Sequence, residues 1–244
     1  MKMYRGYFVS CTMEKEHLTI GGYKRVKASY YKFAAAVALT AVAIAYVTEA
    51  PANAAVPFKD LHNVGDHYTA IDELYNLHII EGRNSMAFAP YEAATREELA
   101  LFIANALKLD TKNVKDPGFK DVPKNSKYYG AIAALSEKGI IKGYSDQTFK
   151  PKDTVKRSQV AKMLVLGFDL ELAGSSTTKF KDVNSIKDTD TRRYIQTLIQ
   201  YGVTQGTSAA TFSPNDAVKR AQLATFLKRA IDSTTADLEI ISVE

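Results

Sequence analysis

Three arginines, Arg96, Arg157 and Arg220, stand 61 and 63 residues apart, and each opens an apolar stretch with helical spacing. Their tetrapeptides read Thr95-Arg96-Glu97-Glu98, Lys156-Arg157-Ser158-Gln159 and Lys219-Arg220-Ala221-Gln222. A cation at a helix N-terminus opposes the helix dipole at a cost of about 0.3–1 kcal/mol. A chain that pays this three times is breaking a local rule of the kind broken where a site is built. An arginine beside unbonded helix amides is an anion site, with a guanidinium fork for bidentate contact and backbone donors next to it. The ligand predicted by that chemistry is a carboxylate or a phosphate. The alternative is that each arginine pairs with an acid of its own or a neighbouring repeat, with Asp60, Asp121 and Asp182 as the candidates. Thr95 with Glu98 reads as a capping box. Lys156 and Lys219 cannot cap, although Gln159 and Gln222 keep the fourth position.

The elements that must position these arginines recur with them. Phe58-Lys59-Asp60, Phe119-Lys120-Asp121 and Phe180-Lys181-Asp182 each lead into the same landmarks: Gly82, Gly143 and Gly206, then Phe88-Ala89-Pro90, Phe149-Lys150-Pro151 and Phe212-Ser213-Pro214. The third copy carries two extra residues between Val183 and Ile195. A fixed period with this much shared detail defines the architecture. After each Phe-Lys-Asp, apolar residues recur at helical spacing (Ile71, Leu74, Ile79; Ile132, Leu135, Ile140; Ile195, Leu198, Ile199, Val203). Each such helix is expected to stop at the turn holding Gly82, Gly143 or Gly206, where glycine takes the left-handed cap conformation. The phenylalanine of Phe-x-Pro then plugs the core. The second helix shows one inward stripe: Leu99, Phe102, Ile103, Ala106, Leu107; Val160, Met163, Leu164, Gly167, Phe168; Leu223, Phe226, Leu227, Ala230, Ile231. Two helices with one apolar face apiece cannot enclose a core, so the units pack on one another. They either stack in a line or close around a pseudo-threefold axis; spacing does not choose. The linkers 110–118 and 174–179 mark the joints, and 233–244 reads as a loose tail.

Composition frames the setting. Lys24, Arg25, Lys27 and Lys32 precede an apolar run from Phe33 to Val47, and Ala52-Asn53-Ala54 offers small residues for cleavage, so residues 1–54 read as an export signal. An uncleaved membrane anchor is the alternative, but the run is shorter than the roughly 20 residues a spanning helix needs. From residue 55 onward the chain holds 25 basic and 24 acidic residues, so its basic balance belongs mostly to the signal. That near-neutrality argues against nucleic acid, which needs a concentrated basic face. The single cysteine, Cys11, falls in the signal, leaving a core and no disulfides to hold about 190 residues.

Enzymatic chemistry finds no support. His-Glu-x-x-His, Gly-x-Ser-x-Gly and phosphate-loop motifs are absent from the sequence, and no cofactor or metal motif replaces them. His62, His67 and His78 fit no common metal spacing and read as solvated. Glu97 and Glu98 read as surface acids.

With these landmarks in hand, the chain resembles the S-layer homology domain of Gram-positive cell-surface proteins, over about residues 56 to 232. The resemblance rests on the opening Phe-x-Asp-Val/Leu, Ala70 to Leu74 and Ala131 to Leu135, Gly139 to Tyr144, Thr148 to Pro151 and the Arg tetrapeptides, repeated in order. It implies an all-α fold of three helix-loop-helix repeats (55–117, 118–178, 179–232) packed as a three-pronged pseudo-trimer in a monomer. It implies a non-catalytic anchor on secondary cell-wall polysaccharide, secreted to the wall or S-layer surface and bearing no membrane segment after signal cleavage. The implied ligand is a pyruvylated amino sugar held in grooves between motifs, with Arg96, Arg157 and Arg220 meeting its acidic ketal. Asp60, Asp121, Asp182, Gly82, Gly143, Tyr144 and Gly206 are the implied companions. The alternatives are a truncated anchor of a larger S-layer protein or wall hydrolase, or a subunit of a surface array. The family's Trp before the first helix is replaced by Tyr68 and Tyr129, and in copy three by Arg192-Arg193-Tyr194. Gly-Tyr survives only at Gly143-Tyr144, against Gly82-Arg83 and Gly206-Thr207, which makes copy two the best-preserved site.

Overall fold

The structure, a computed structural model, describes residues 56–241, with side chains to Thr234; the expected export signal, 1–54, lies outside the described residues. Among the described residues there are seven helices, three isolated antiparallel bridges and no strand, in agreement with the all-α reading. The helices are α1 (His67–Asn76), α2 (Arg96–Ala106), α3 (Tyr129–Glu137), α4 (Arg157–Gly167), the short α5 (Lys181–Asn184), α6 (Thr189–Gln200) and α7 (Arg220–Ile241). No helix among them is long and apolar enough to cross a membrane.

Copies one, two and three therefore contribute the pairs α1/α2, α3/α4 and α6/α7, with α5 an addition of copy three. The second helix of each copy packs on the first helix of another: α2 on α3, α4 on α6, and α7 back on α1. The three second helices also touch one another pairwise. The contacts thus run from copy one to two, two to three, and three to one.

That mutual contact explains a departure from the single-stripe expectation. Besides Leu99, Phe102 and Ile103, the small residues Ala100 and Ala104 on α2 are buried, as are Ala161 and Val165 on α4 and Ala224 on α7. Alanine on a second face lets helix backbones approach closely, so the second helices are enclosed on more than one side. At their N-terminal ends, the amides of Ala94, Val155 and Val218 donate to the carbonyls of Val218, Ala94 and Val155 at 2.8, 2.9 and 3.0 Å. Three backbone bonds form a closed circuit, one residue from each copy, all fully buried.

One turn assignment is corrected. The first helices end in left-handed residues at His78, Gly139 and Gly202 (φ 56°, 72° and 69°), four positions before Gly82, Gly143 and Gly206. The later glycines are not helix caps, although Gly143 and Gly206 are left-handed (φ 54° and 90°), and all three answer a steric demand. A Cβ at any of them would collide with the ring of the Phe-Lys-Asp phenylalanine of the same copy, Phe58, Phe119 or Phe180, about 2.5 Å away in the case of Gly206. That phenylalanine in turn lies 5.6, 5.7 or 6.0 Å from Phe88, Phe149 or Phe212. Over 233–241, where a loose tail is expected, the chain is helical, α7 running to Ile241. No glycine or proline lies between Arg220 and Ile241 to end the helix.

Candidate functional site: the arginine grooves between repeats

The first residue of each second helix is an arginine almost wholly enclosed: Arg96 is 7% exposed, Arg157 3% and Arg220 1%. Each crosses to another copy. The Nε of Arg96 donates to the carbonyl of Phe149 at 2.9 Å, that of Arg157 to Phe212 at 2.8 Å, and that of Arg220 to Phe88 at 2.7 Å. Each guanidinium also lies 4.6 to 4.8 Å from the ring centre of the same phenylalanine, a cation–π arrangement. Burial lowers the pKa of all three, opposed by nearby groups: Tyr144, Asp153 and Asp121 for Arg96, Asp216 and Asp182 for Arg157, and Glu98 for Arg220. Arginine keeps its charge through such shifts.

The carbonyl that receives this bond belongs to a strained loop. The middle residue of each Phe-x-Pro, Ala89, Lys150 or Ser213, has a left-handed backbone (φ 60°, 58° and 59°) without being glycine. Asp60, Asp121 and Asp182 hold that conformation. Each carboxylate accepts from the amides of the phenylalanine and the following residue, the second bond being 2.7 Å in every copy. The Phe-x-Pro loop is therefore fixed by an aspartate from its own copy and an arginine from another. The three aspartates form no ion pair with the arginines; their oxygens face the loop backbone.

The helix amides expected beside each arginine are also occupied. Those of Arg96 and Glu97 donate to Asp153 and Pro151, those of Arg157 and Ser158 to Asp216 and Pro214, and those of Arg220 and Ala221 to Glu92 and Pro90, at 2.9 to 3.0 Å. At these positions the helix amides are spoken for, and the guanidinium groups are the donors that remain.

Each arginine meets the Gly-x pair of the copy it reaches. Arg96 shares a groove of about 160 Å³ with Gly143, Tyr144, Gln159 and Met163. Its guanidinium is 5.1 Å from the Tyr144 ring centre, and Lys150 Nζ is 4.5 Å from the same ring. Lys142 and Lys162 add charge to the walls. The best-preserved Gly-Tyr of copy two is thus brought to the arginine of copy one, and Arg157 of copy two lies elsewhere. Arg157 lines a second groove, of about 270 Å³, with Gly206, His67, Gln222, Thr225 and Arg229. Its Nη2 donates to Thr204 Oγ1 at 3.3 Å. Neither Arg96 nor Arg157 has a carboxylate within ion-pair distance among the described residues.

The third junction differs. Arg220 forms an ion pair with Glu98 of copy one through Nη1, and its Nη2 donates to the Glu81 carbonyl at 2.7 Å. Arg83, in the place of Tyr144, approaches the same carboxylate at 3.2 Å. Pairing with an acid is therefore realised at one arginine of three, and the partner is Glu98.

Several groups here escaped the sequence reading. Glu97 and Glu98, expected at the surface, are each 5% exposed; Glu97 pairs with Lys152 at 2.6 Å. Thr95 and Glu98 do form the capping box, with the Thr95 amide 2.8 Å from the Glu98 carboxylate. Gln159 and Gln222 reach back to the amides of Lys156 and Lys219 in the same manner. His67 is half-buried, its Nδ1 2.7 Å from Thr225 Oγ1, whereas His62 and His78 are exposed as expected. Tyr68 is exposed and Tyr129 half-buried; one position earlier, Tyr128 lies 4.8 and 5.8 Å from Lys127 and Lys152, near the third junction. In copy three, Arg192 and Arg193 bond the carbonyls of Ile186 and Ala173, and Tyr194 is half-buried. Homologous pairing at 61 residues links His67 to Tyr128, a signal that would have marked the histidine as a wall residue.

Comparison with known proteins finds relatives of this sequence. The chain is 31% identical over 216 residues to a surface-layer 125 kDa protein of Lysinibacillus sphaericus, covering 87% of this chain and 18% of that protein. It is 28% identical over 160 residues to a cellulosome-anchoring protein of Acetivibrio thermocellus, covering 63% and 35%. It is 33% identical over 144 residues to an endoglucanase of a Bacillus species, covering 58% and 15%. The chain thus spans well under half the length of each of these relatives. The model of the S-layer homology domain matches three times, at residues 57–100, 118–161 and 179–224, in register with the three arginine-bearing units. The chain belongs to the S-layer homology domain family.

Proposed function

We propose that the chain is a non-catalytic module that anchors its bearer at the bacterial cell surface by binding secondary cell-wall polysaccharide, and that the recognised unit is a pyruvylated amino sugar. One observation carries this reading: Arg96 is nearly buried and lines a groove beside Tyr144, and both its terminal nitrogens lack a partner among the described residues. A largely enclosed guanidinium whose terminal donors stay open to solvent in the groove matches a carboxylate ligand, and an aromatic wall matches the apolar face of a sugar. Arg157 offers a second such group with one nitrogen used by Thr204. Weak binding in separate grooves on one polymer sums by avidity. The names of a surface-layer protein and a cellulosome-anchoring protein among the relatives fit attachment outside the cell. Residues 1–54 then act as a cleaved export signal, and the exported module works as a monomer at the wall or S-layer surface of a Gram-positive cell.

Cosedimentation of the purified protein with isolated cell walls tests this. Binding is expected to disappear when the polysaccharide, or its pyruvate alone, is removed from the walls. Arg96→Ala is expected to weaken binding by about 10- to 150-fold, the loss of one charge-assisted contact of about 1.5–3 kcal/mol. Undiminished binding to stripped walls would overturn the reading.

A further inference from the structure

We infer that the third junction is closed to acidic ligands by an internal carboxylate, so that Glu98 sets the number of working grooves at two. The inference rests on the anchoring reading above.

All three junctions are built alike: an arginine from one copy, a glycine pair from the next, and the fourth residue of the tetrapeptide on the wall. That fourth residue is Gln159 in the Arg96 groove and Gln222 in the Arg157 groove, both uncharged. In the third junction it is Glu98. One of its oxygens serves the capping role that the glutamines also perform, toward the Thr95 amide at 2.8 Å. The other lies against Arg220 and Arg83. Every nitrogen of the Arg220 guanidinium is consequently engaged, by Phe88, Glu98 and Glu81. Arg96 uses one nitrogen and Arg157 two.

A carboxylate ligand entering the third junction must displace Glu98 from two guanidinium groups and then lie beside it. Like charges at such distances in a poorly solvated site disfavour each other strongly. Glu98 therefore occupies the position that a ligand's acid takes in the other two grooves. Glutamine at 98 would keep the cap, as Gln159 and Gln222 demonstrate in this same chain, and would remove the competing charge.

Isothermal titration of the purified protein with a pyruvylated N-acetylhexosamine methyl glycoside reads the number of sites. Two sites are expected for the wild type and three for Glu98→Gln. Arg220→Ala added to Glu98→Gln should return the count to two, and Arg96→Ala in the wild type should reduce it to one. Three sites in the wild type, or two in a folded Glu98→Gln protein, would overturn the inference while leaving the anchoring reading intact. No binding in either protein would overturn both. If Glu98→Gln fails to fold, the wild-type count alone decides.

Discussion

Arg157 and Phe212 are joined across two copies by a 2.8 Å hydrogen bond from the guanidinium Nε to the carbonyl oxygen, with the guanidinium stacked on the ring of the same phenylalanine. The arginine is thus a structural tie as well as a wall of the groove. Arg157→Ala is expected to lower stability by about 1–3 kcal/mol, because the Phe212 carbonyl is left buried without a donor. Arg157→Lys should recover little, since an ammonium cannot bond the carbonyl along a planar edge and stack on the ring together. Urea denaturation of the three proteins checks both statements.

Asp121 fixes the loop that receives Arg96. Both of its oxygens accept amides of the Phe149-Lys150 loop, at 2.8 and 2.7 Å. Asp121→Ala should cost about 1.5–3 kcal/mol per lost charge-assisted bond in stability. The affinity of the Arg157 groove, measured on folded protein by titration with pyruvylated glycoside, should stay unchanged.

Gly143 and Phe119 form a close pair. Gly143→Ala should be destabilising by at least the 1–3 kcal/mol typical of overpacking, because the new methyl meets the Phe119 ring and the backbone is left-handed at φ 54°. The double substitution with Phe119→Ala should cost less than the two single costs together, since the clash with the ring is gone while that with the Thr148 carbonyl at 2.8 Å remains. Thermal unfolding of the single and double variants forms the cycle.

His67 makes the second groove sensitive to acid. Burial, reinforced by Arg229 and opposed by Asp66, lowers its pKa below the ordinary 6.5. The unfolded chain therefore takes up a proton at a higher pH than the folded one, and stability falls as pH drops below about 6.5 toward the folded value. His67→Gln should flatten this part of the profile, and the wild type should keep it. Urea midpoints between pH 7.5 and 5.5 distinguish the two.

How much of this was legible beforehand depends on whether a residue's partner lies in its own copy. The first and second helices follow from spacings such as Leu99, Phe102 and Ile103, because a buried face imprints a local period. The capping box of Thr95 and Glu98 is local as well, and it is present. Arg96 was marked by its unusual position, yet its neighbours Phe149 and Tyr144 come from the following copy, and nothing near Arg96 in the chain names them. The helix amides were expected to be unbonded for the same reason: the carbonyls that take them, such as Asp153 and Pro151, arrive from another copy. Glu98 was the hardest to read. Its capping role explains it fully as a local feature, and its contact with Arg220, 122 positions later, leaves no trace in the period.

The closed circuit of Ala94, Val155 and Val218 bears on how such a chain can change length. An open stack of units gains or loses a member at either end and keeps its remaining interfaces. Here α7 lies against α1, so the outermost copies cover each other and offer no end face for a fourth. Deleting one copy opens two junctions at once. The loss of any one copy therefore strips a covering helix from both of the others, and the three stand or fall as one cooperative unit.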